Sequence, residues 1–399
     1  MNRFSFKSRP MALLAAGVLV VLVAACGGGA GKPAPPRSTL SAQAALGELI
    51  FNDINLSASG QQACASCHVS EAGHAQNNPL AAQLGGADLT LQGSRAAPSI
   101  RYLSFNSAFF FDTEGTPTGG FTWDGGATSL ADQAGRPFLN PVEMAMPSKA
   151  AVIAKLVQAA YADEFKRAFG SDIFSRPDDA FESIRLALQA YQSEDTDFRP
   201  FSSKYDEFLR GNAALSRQEK RGLELFNDPA KGNCARCHPS TKGADGSHPL
   251  FTDFTYDNLG VPRNVALAVN SDPNHFDLGL CARSPGELST RTDLCGAFKV
   301  PSLRNVALRQ ALFHNGHFKS LKEALTFYVQ RDTNPAQFYP LKRDGSVDKF
   351  NDLPSPYKTN VNTTEAPYNR KLGESPALSG TEINDLIGFL KTLTDGWSP

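Results

Sequence analysis

Cysteine and histidine recur together in two copies of one short pattern, Cys64-Ala-Ser-Cys67-His68 and Cys234-Ala-Arg-Cys237-His238. With seven cysteines and seven histidines in 399 residues, chance would supply about 0.002 such matches, so two are not accidental. The pattern is that of c-type haem attachment. Two thiols add to the haem vinyl groups, and the next residue gives the iron an imidazole, which makes His68 and His238 the proximal ligands. Two other readings of CxxC are weaker. A redox dithiol needs a thioredoxin-like βαβ pattern, which is absent. Structural zinc is disfavoured by the long stretch between the pairs and by the export signal at the N-terminus.

Composition narrows the class further. Apolar residues make up 41% and charged residues 20%, which suits a globular chain and excludes a mainly disordered, collagen-like or polytopic membrane protein. Lysine plus arginine is 39 against 40 for aspartate plus glutamate, leaving no field to gather nucleic acid. Met11 to Ala25 is the only long apolar run; it follows Arg3, Lys7 and Arg9 and is too short to span a bilayer comfortably. Residues 1–25 therefore read as a signal peptide. Its end, Val23-Ala24-Ala25-Cys26, resembles a bacterial lipobox, and the glycine- and proline-rich stretch to residue 40 reads as a flexible tether. The expectation is export to the periplasm with a lipid anchor on Cys26, in the outer membrane because no acidic retention signal follows. The alternative is an ordinary signal with Cys26 incidental. Cys281 and Cys295 can close a small loop in an oxidising compartment or remain as two buried thiols; either role is structural.

The chain is internally duplicated. Gly47-Glu-Leu-Ile-Phe51-Asn52-Asp53 precedes the first haem motif and Gly222-Leu-Glu-Leu-Phe226-Asn227-Asp228 the second. Downstream, Pro98-Ser99-Ile100-Arg101 parallels Pro301-Ser302-Leu303-Arg304. Trp123-Asp124-Gly125 with Ser129-Leu130 parallels His314-Asn315-Gly316 with Ser320-Leu321. A period near 200 residues is too long for a solenoid. It reads as two copies of one haem domain in tandem, residues 41–200 and 201–399, and because no alternating strand series appears the fold is expected to be mainly α. Helices are predicted over Lys149–Phe169, over Asp178–Glu194, from Ser320, and after the capping boxes Ser216-Arg-Gln-Glu219 and Ser379-Gly-Thr-Glu382. Residues 331–375, rich in Pro, Asn and Asp, read as ordered loop.

The repeat also compares the two haem sites. Tyr328 lies eight residues after Ser320, and the matching position eight residues after Ser129 is Pro137. A phenolate can bind iron and a proline side chain cannot. The second haem can therefore be six-coordinate while the first stays open to a small ligand. His314, the counterpart of Trp123, is expected beside the second haem rather than on its iron. His74 is expected in a loop, too close in sequence to His68 to cross to the opposite haem face. His248, His275 and His317 read as loop or surface residues.

Together, the two haem motifs, Trp123-Asp-Gly, Pro137-Phe-Leu-Asn-Pro-Val-Glu143-Met, Pro301-Ser-Leu-Arg-Asn-Val-Ala-Leu and Phe313-His314-Asn-Gly resemble the bacterial dihaem cytochrome c peroxidase and MauG superfamily over roughly residues 40 to 395. The resemblance implies two cytochrome c-like domains in tandem with two covalently bound haem c groups, and hydrogen peroxide cleaved at the first. It also implies Trp123 between the haems, with Gln133, Pro137 and Glu143 lining the peroxide pocket. The residue matching Tyr328 is methionine in typical cytochrome c peroxidases and tyrosine in MauG. Glu143 would take the proton from the nearer peroxide oxygen and return it to the farther one. Family members often hold an interdomain calcium with an asparagine where this chain has Ala96. Arg309 and Ala311 at the other usual positions would add only main-chain carbonyls, a poor set for calcium.

Three functions compete on these residues. The first is peroxide reduction with electrons from a small cytochrome c or cupredoxin. The second is MauG-like oxidation of residues on a partner protein, and the third is a two-haem electron carrier without catalysis. An open first haem with Glu143 argues against the carrier, and Tyr328 bears most on the choice between the other two.

Overall fold

The computed structural model describes residues 40–399, so the expected signal peptide, Cys26 and all but the last residue of the tether lie outside the described residues. Among the described residues no helix is long and apolar enough to cross a membrane. Ten helices follow in order: α1 (Ala42–Asn52), α2 (Cys64–Cys67), α3 (Leu130–Leu139), α4 (Lys149–Leu156), α5 (Ala162–Phe169), α6 (Pro177–Glu194), α7 (Lys204–Leu209), α8 (Arg217–Asn227), α9 (Leu321–Gln330) and α10 (Gly380–Lys391). Among the described residues, strand is confined to three antiparallel pairs of two-residue strands: Leu84–Gly85 with Leu91–Gln92, Phe110–Phe111 with Pro117–Thr118, and Tyr256–Asp257 with Phe298–Lys299. The fold is mainly α, and 3-10 turns and ordered loops fill the rest, including 331–375.

Two large apolar cores carry the stability. One runs from Leu46 to Phe198 and draws on α1 and α3–α6; the other runs from Tyr205 to Leu393 and draws on α7–α10. Each is built around one close helix crossing whose closeness glycine permits. A Cβ on Gly47 of α1 would lie 2.0 Å from the carbonyl oxygen of Ala187 in α6, and one on Gly222 of α8 would lie 2.2 Å from that of Asp385 in α10. Phe51 and Phe226, four residues on, are buried beside these crossings. The duplicated Gly-x-x-x-Phe segment thus marks the same packing event twice.

Helix starts follow their sequence signals. Ser216 with Glu219, Ser320 with Glu323 and Ser379 with Glu382 each form reciprocal capping boxes, each cap contributing about 1 kcal/mol. The single helix expected over Lys149–Phe169 is instead two. Val157 caps α4, and the chain turns before α5 so that Tyr161 is buried and its hydroxyl donates to Asp53 Oδ2 at 2.7 Å. Hydrophobic spacing survives such a turn, so periodicity did not register it. Cys281 and Cys295 form a disulfide.

Bonds between early and late segments bring the functional loops together. Ala96 N–H donates to His314 O at 2.7 Å, Lys299 N–H to Trp123 O at 2.8 Å, and Gln310 Nε2 to Asn77 O at 2.8 Å. The Tyr102 hydroxyl donates to the Asp395 carboxylate at 2.8 Å. Gly316, at φ +59°, lies where a Cβ would come within 2.3 Å of Ala81 O, so only glycine lets these loops touch.

Candidate functional site

Both CxxCH segments place their histidine the same way. His68 Nδ1 donates to the His74 carbonyl at 3.1 Å, and His238 Nδ1 donates to the Phe251 carbonyl at 2.8 Å. A proton fixed on Nδ1 leaves Nε2 of each ring as the free ligand nitrogen. Burial lowers the pKa of both imidazoles, that of His68 to about 4, so both are neutral and able to ligate at pH 7.

The accepting carbonyls are themselves fixed by the duplicated Pro-Ser-x-Arg segments. Ile100 N–H donates to His74 O and Leu303 N–H to Phe251 O, while Ser99 and Ser302 donate to Gly73 O and Leu250 O. The arginines that follow each meet an aspartate that also holds a histidine. Arg101 pairs with Asp197, which accepts from His74 Nε2 at 2.6 Å; Arg304 pairs with Asp206 through two bonds of 2.9 Å, and Asp206 accepts from His248 Nδ1 at 2.6 Å. Burial alone would raise the pKa of both aspartates, but these bonds and charges outweigh it and hold them low. His74 is a loop residue as expected, but a buried one, stacked on Phe198 at 4.1 Å; its ring is held away from the first cavity. His248, expected as an ordinary loop or surface residue, is half-buried and hydrogen-bonded to Asp206. Local sequence does not reveal this contact, because Asp206 lies 42 residues away.

Each motif opens onto a cavity. The first, of about 460 Å³, is lined by Cys64, Cys67, His68, Gln133, Pro137 and Glu143. The second, of about 190 Å³, is lined by Cys234, Cys237, His238, His314, Tyr328 and Tyr368. Trp123 lines both, and its indole Nε1 donates to Ala96 O at 2.8 Å. None of the four motif thiols is in a disulfide. Burial raises the pKa of Cys64, Cys234 and Cys237 to about 12 and that of Cys67 to about 11, so all are neutral thiols. Paired thiols beside an imidazole with a free Nε2, on a largely apolar cavity, suit a haem in both places. Among the described residues no cluster of three or more His, Cys, Asp or Glu could hold a metal ion, which leaves the zinc reading without support.

Opposite features distinguish the cavities. Glu143 sits in the loop between α3 and α4 with both backbone groups bonded, its N–H to Asn140 O at 3.0 Å and its carbonyl to Gly86 N–H at 2.8 Å. Burial raises its carboxyl pKa above the ordinary value, only partly offset by a hydrogen bond from Asn140. Tyr328, on α9, projects into the second cavity and makes no hydrogen bond among the described residues; its ring lies 5.6 Å from Phe313 and 5.9 Å from Tyr368. Burial, then the nearby Cys234 and Cys237, raise its hydroxyl pKa. His314 is buried against Phe298, with ring centroids 3.5 Å apart, and burial lowers its pKa to about 4.

Several lining residues were not legible beforehand. Lys299 lines both cavities, donates to Gly120 O at 2.6 Å and has its pKa lowered by burial to about 8. Arg95 bridges Asp124 and Asp277 at 2.7 Å each. Arg309, considered from sequence only for its carbonyl, turns its side chain into the first cavity. Of these, Arg95 precedes Pro98 by three residues and Lys299 precedes Pro301 by two, a signal too short to read without the fold.

Comparison with known proteins places this geometry in context. The family model for di-haem cytochrome c peroxidase matches residues 41–214. The chain is 36% identical over 379 residues to the methylamine utilization protein MauG of Paracoccus denitrificans, covering 92% of each protein. It is 32% identical over 286 residues to the cytochrome c551 peroxidase of Nitrosomonas europaea, 71% of each. Among solved structures, the diheme peroxidase BthA of Burkholderia thailandensis superposes with a TM-score of 0.81 at 37% identity, over 89% of this chain and 86% of that one.

Proposed function

Because the chain belongs to the dihaem cytochrome c peroxidase and MauG family, we propose that it is a peroxidase reducing hydrogen peroxide to water in the first cavity, supplied with electrons from the second. The observation that carries this reading is the joint lining of one cavity by His68, Gln133, Pro137 and Glu143, with Trp123 shared between that cavity and the next. Haem c, joined to Cys64 and Cys67 and again to Cys234 and Cys237, supplies the redox iron when bound. His68 and His238 offer Nε2 to it. Pro137, which lines the same cavity, has no side-chain donor to offer the iron, and this would leave room for peroxide. Glu143, as carboxylate, accepts the proton of the nearer peroxide oxygen and delivers it to the farther one, so that water leaves. Gln133 orients the peroxide by hydrogen bonding. Trp123 carries electrons between the cavities, and His314, which lines the second cavity, would lie beside the haem held there.

Tyr328 favours a second reading. A phenolate on the second iron would stabilise its oxidised states, so the protein would store oxidising equivalents and spend them on a partner protein, as its likeness to MauG also suggests. For the primary reading the electron donor is a small cytochrome c or cupredoxin. Export to the periplasm belongs to the same reading, supported by the leader sequence and the Cys281–Cys295 disulfide; a lipid on Cys26 would tether the protein there. The test is peroxide added to purified oxidised protein with and without reduced cytochrome c. Rapid cytochrome oxidation supports the peroxidase. A long-lived oxidised spectrum with little turnover supports the partner-oxidising enzyme, and no spectral response to peroxide refutes both.

A further inference from the structure

Among the described residues, Arg309 is a buried cation without a counter-ion. Its side chain lines the first cavity, and its Nη2 donates to Ala311 O at 3.2 Å. Its Nε is buried without a partner, and nothing anionic offsets the burial that lowers its pKa to about 10. The other arginines of that cavity differ: Arg95 has Asp124 and Asp277, Arg101 has Asp197, Arg136 has Asp132 and Arg304 has Asp206. A guanidinium withdrawn from water and left unpaired is costly unless an anion completes the site.

The calcium that the family resemblance suggests would need oxygen donors at this junction, and the residues do not fit it. Ala96 has no side-chain oxygen, and its carbonyl already accepts from Trp123 Nε1. The Ala311 carbonyl accepts from Arg309 itself. A divalent ion here would also face a fixed positive charge. Next door, Gln310 bonds Asn77 O across the two halves, so Arg309 sits on the segment that joins them.

We infer that the Arg309 guanidinium takes the place of a calcium ion between the two haem sites and receives a carboxylate substituent of the haem attached at Cys64 and Cys67. The planar fork of arginine matches a carboxylate, and neither carboxylate lining that cavity, Asp124 or Glu143, pairs with it. The inference rests on the proposed haem in the first cavity, and haem content measured independently separates the two. One haem per chain by alkaline pyridine spectrum would sink that reading; two would leave this one to be judged on its own.

The experiment uses the dihaem protein after dialysis against a calcium chelator. Metal analysis is expected to find calcium far below one per chain, and added calcium is expected to leave the absorption spectrum unchanged. In spectroelectrochemistry, Arg309→Gln should lower the potential of the first haem. At a fixed potential its oxidised-to-reduced ratio should then rise by about tenfold or more, the scale of removing a unit charge several ångströms away in a protein interior. The second haem should move less, and Arg309→Lys should keep most of the wild-type value. Stoichiometric calcium that survives dialysis overturns the inference, as does an unchanged potential in Arg309→Gln. Should that variant not fold, the wild-type metal analysis and Arg309→Lys decide, and a potential for Arg309→Lys displaced as far as loss of the charge predicts would overturn it.

Discussion

Glu143→Gln removes one proton acceptor and little else. The side chain keeps its length, and the backbone stays bonded to Asn140 O and Gly86 N–H. The wild-type carboxyl is buried, and burial raises its pKa above the ordinary 4.5, so it is a better base than an exposed glutamate. Proton transfer by a positioned carboxylate is worth about 10²- to 10⁴-fold, or roughly 3–5 kcal/mol of barrier. The amide should therefore slow peroxide cleavage at neutral pH by about 10²-fold or more, measured by stopped-flow with peroxide in excess, at unchanged haem content. The wild-type rate should fall as pH drops through the raised pKa, with an acid limb above 4.5, and the amide should lose that limb. Stability should move the other way. A carboxyl whose folded pKa is raised contributes most below 4.5 and loses that contribution as pH rises through the folded value, so at pH 7 the amide should unfold no earlier than wild type. Gly85→Ala tests the same placement indirectly, because its Cβ would lie 2.4 Å from Val142 O and 2.7 Å from Glu143 Cα and must displace Glu143. An unchanged cleavage rate in Glu143→Gln would remove the residue from the mechanism.

Three other substitutions probe the remaining parts. Tyr328→Met should raise the potential of the second haem by on the order of 100 mV, within the ~0.8 V that axial ligands command, and shift the protein toward peroxidase turnover; an unchanged potential and low-spin EPR signal would mean Tyr328 is not a ligand. Gly222→Ala would put a Cβ 2.2 Å from Asp385 O and 2.7 Å from Phe389 Cβ. Overpacking of that kind costs about 1–3 kcal/mol, read as a thermal midpoint lower by several degrees. Gly380→Ala, whose Cβ meets nothing within 4 Å, should show no loss, and equal midpoints for the two variants would refute the crossing argument.

What could be read in the sequence was what short-range chemistry dictates. The CxxCH pairs, the Ser/Glu capping boxes and the duplicated Pro-Ser-x-Arg segments each declare themselves within a few residues, and the structure gives every one a definite hydrogen bond or cavity. What escaped depends on partners far along the chain. Asp197 holds His74 from 123 residues away, and Tyr161 breaks an otherwise regular helical pattern to reach Asp53, 108 residues before it. In the sequence Arg309 offers only its carbonyl to the argument, because its value lies in what its side chain lacks among the described residues, a counter-ion, and absence of a partner leaves no mark in sequence.

The central claim is that peroxide reacts in the cavity of His68 and that its oxidising equivalents reach the cavity of His238 through Trp123. The most direct measurement mixes fully oxidised wild type and Trp123→Phe with one equivalent of peroxide and follows both haem spectra by rapid-scan stopped flow. The prediction is an equally fast change at the first haem in both proteins, followed by a prompt change at the second in wild type and a delayed one in the variant. Equal rates at the second haem in the two proteins, or a first change arising at the haem of His238, would contradict it.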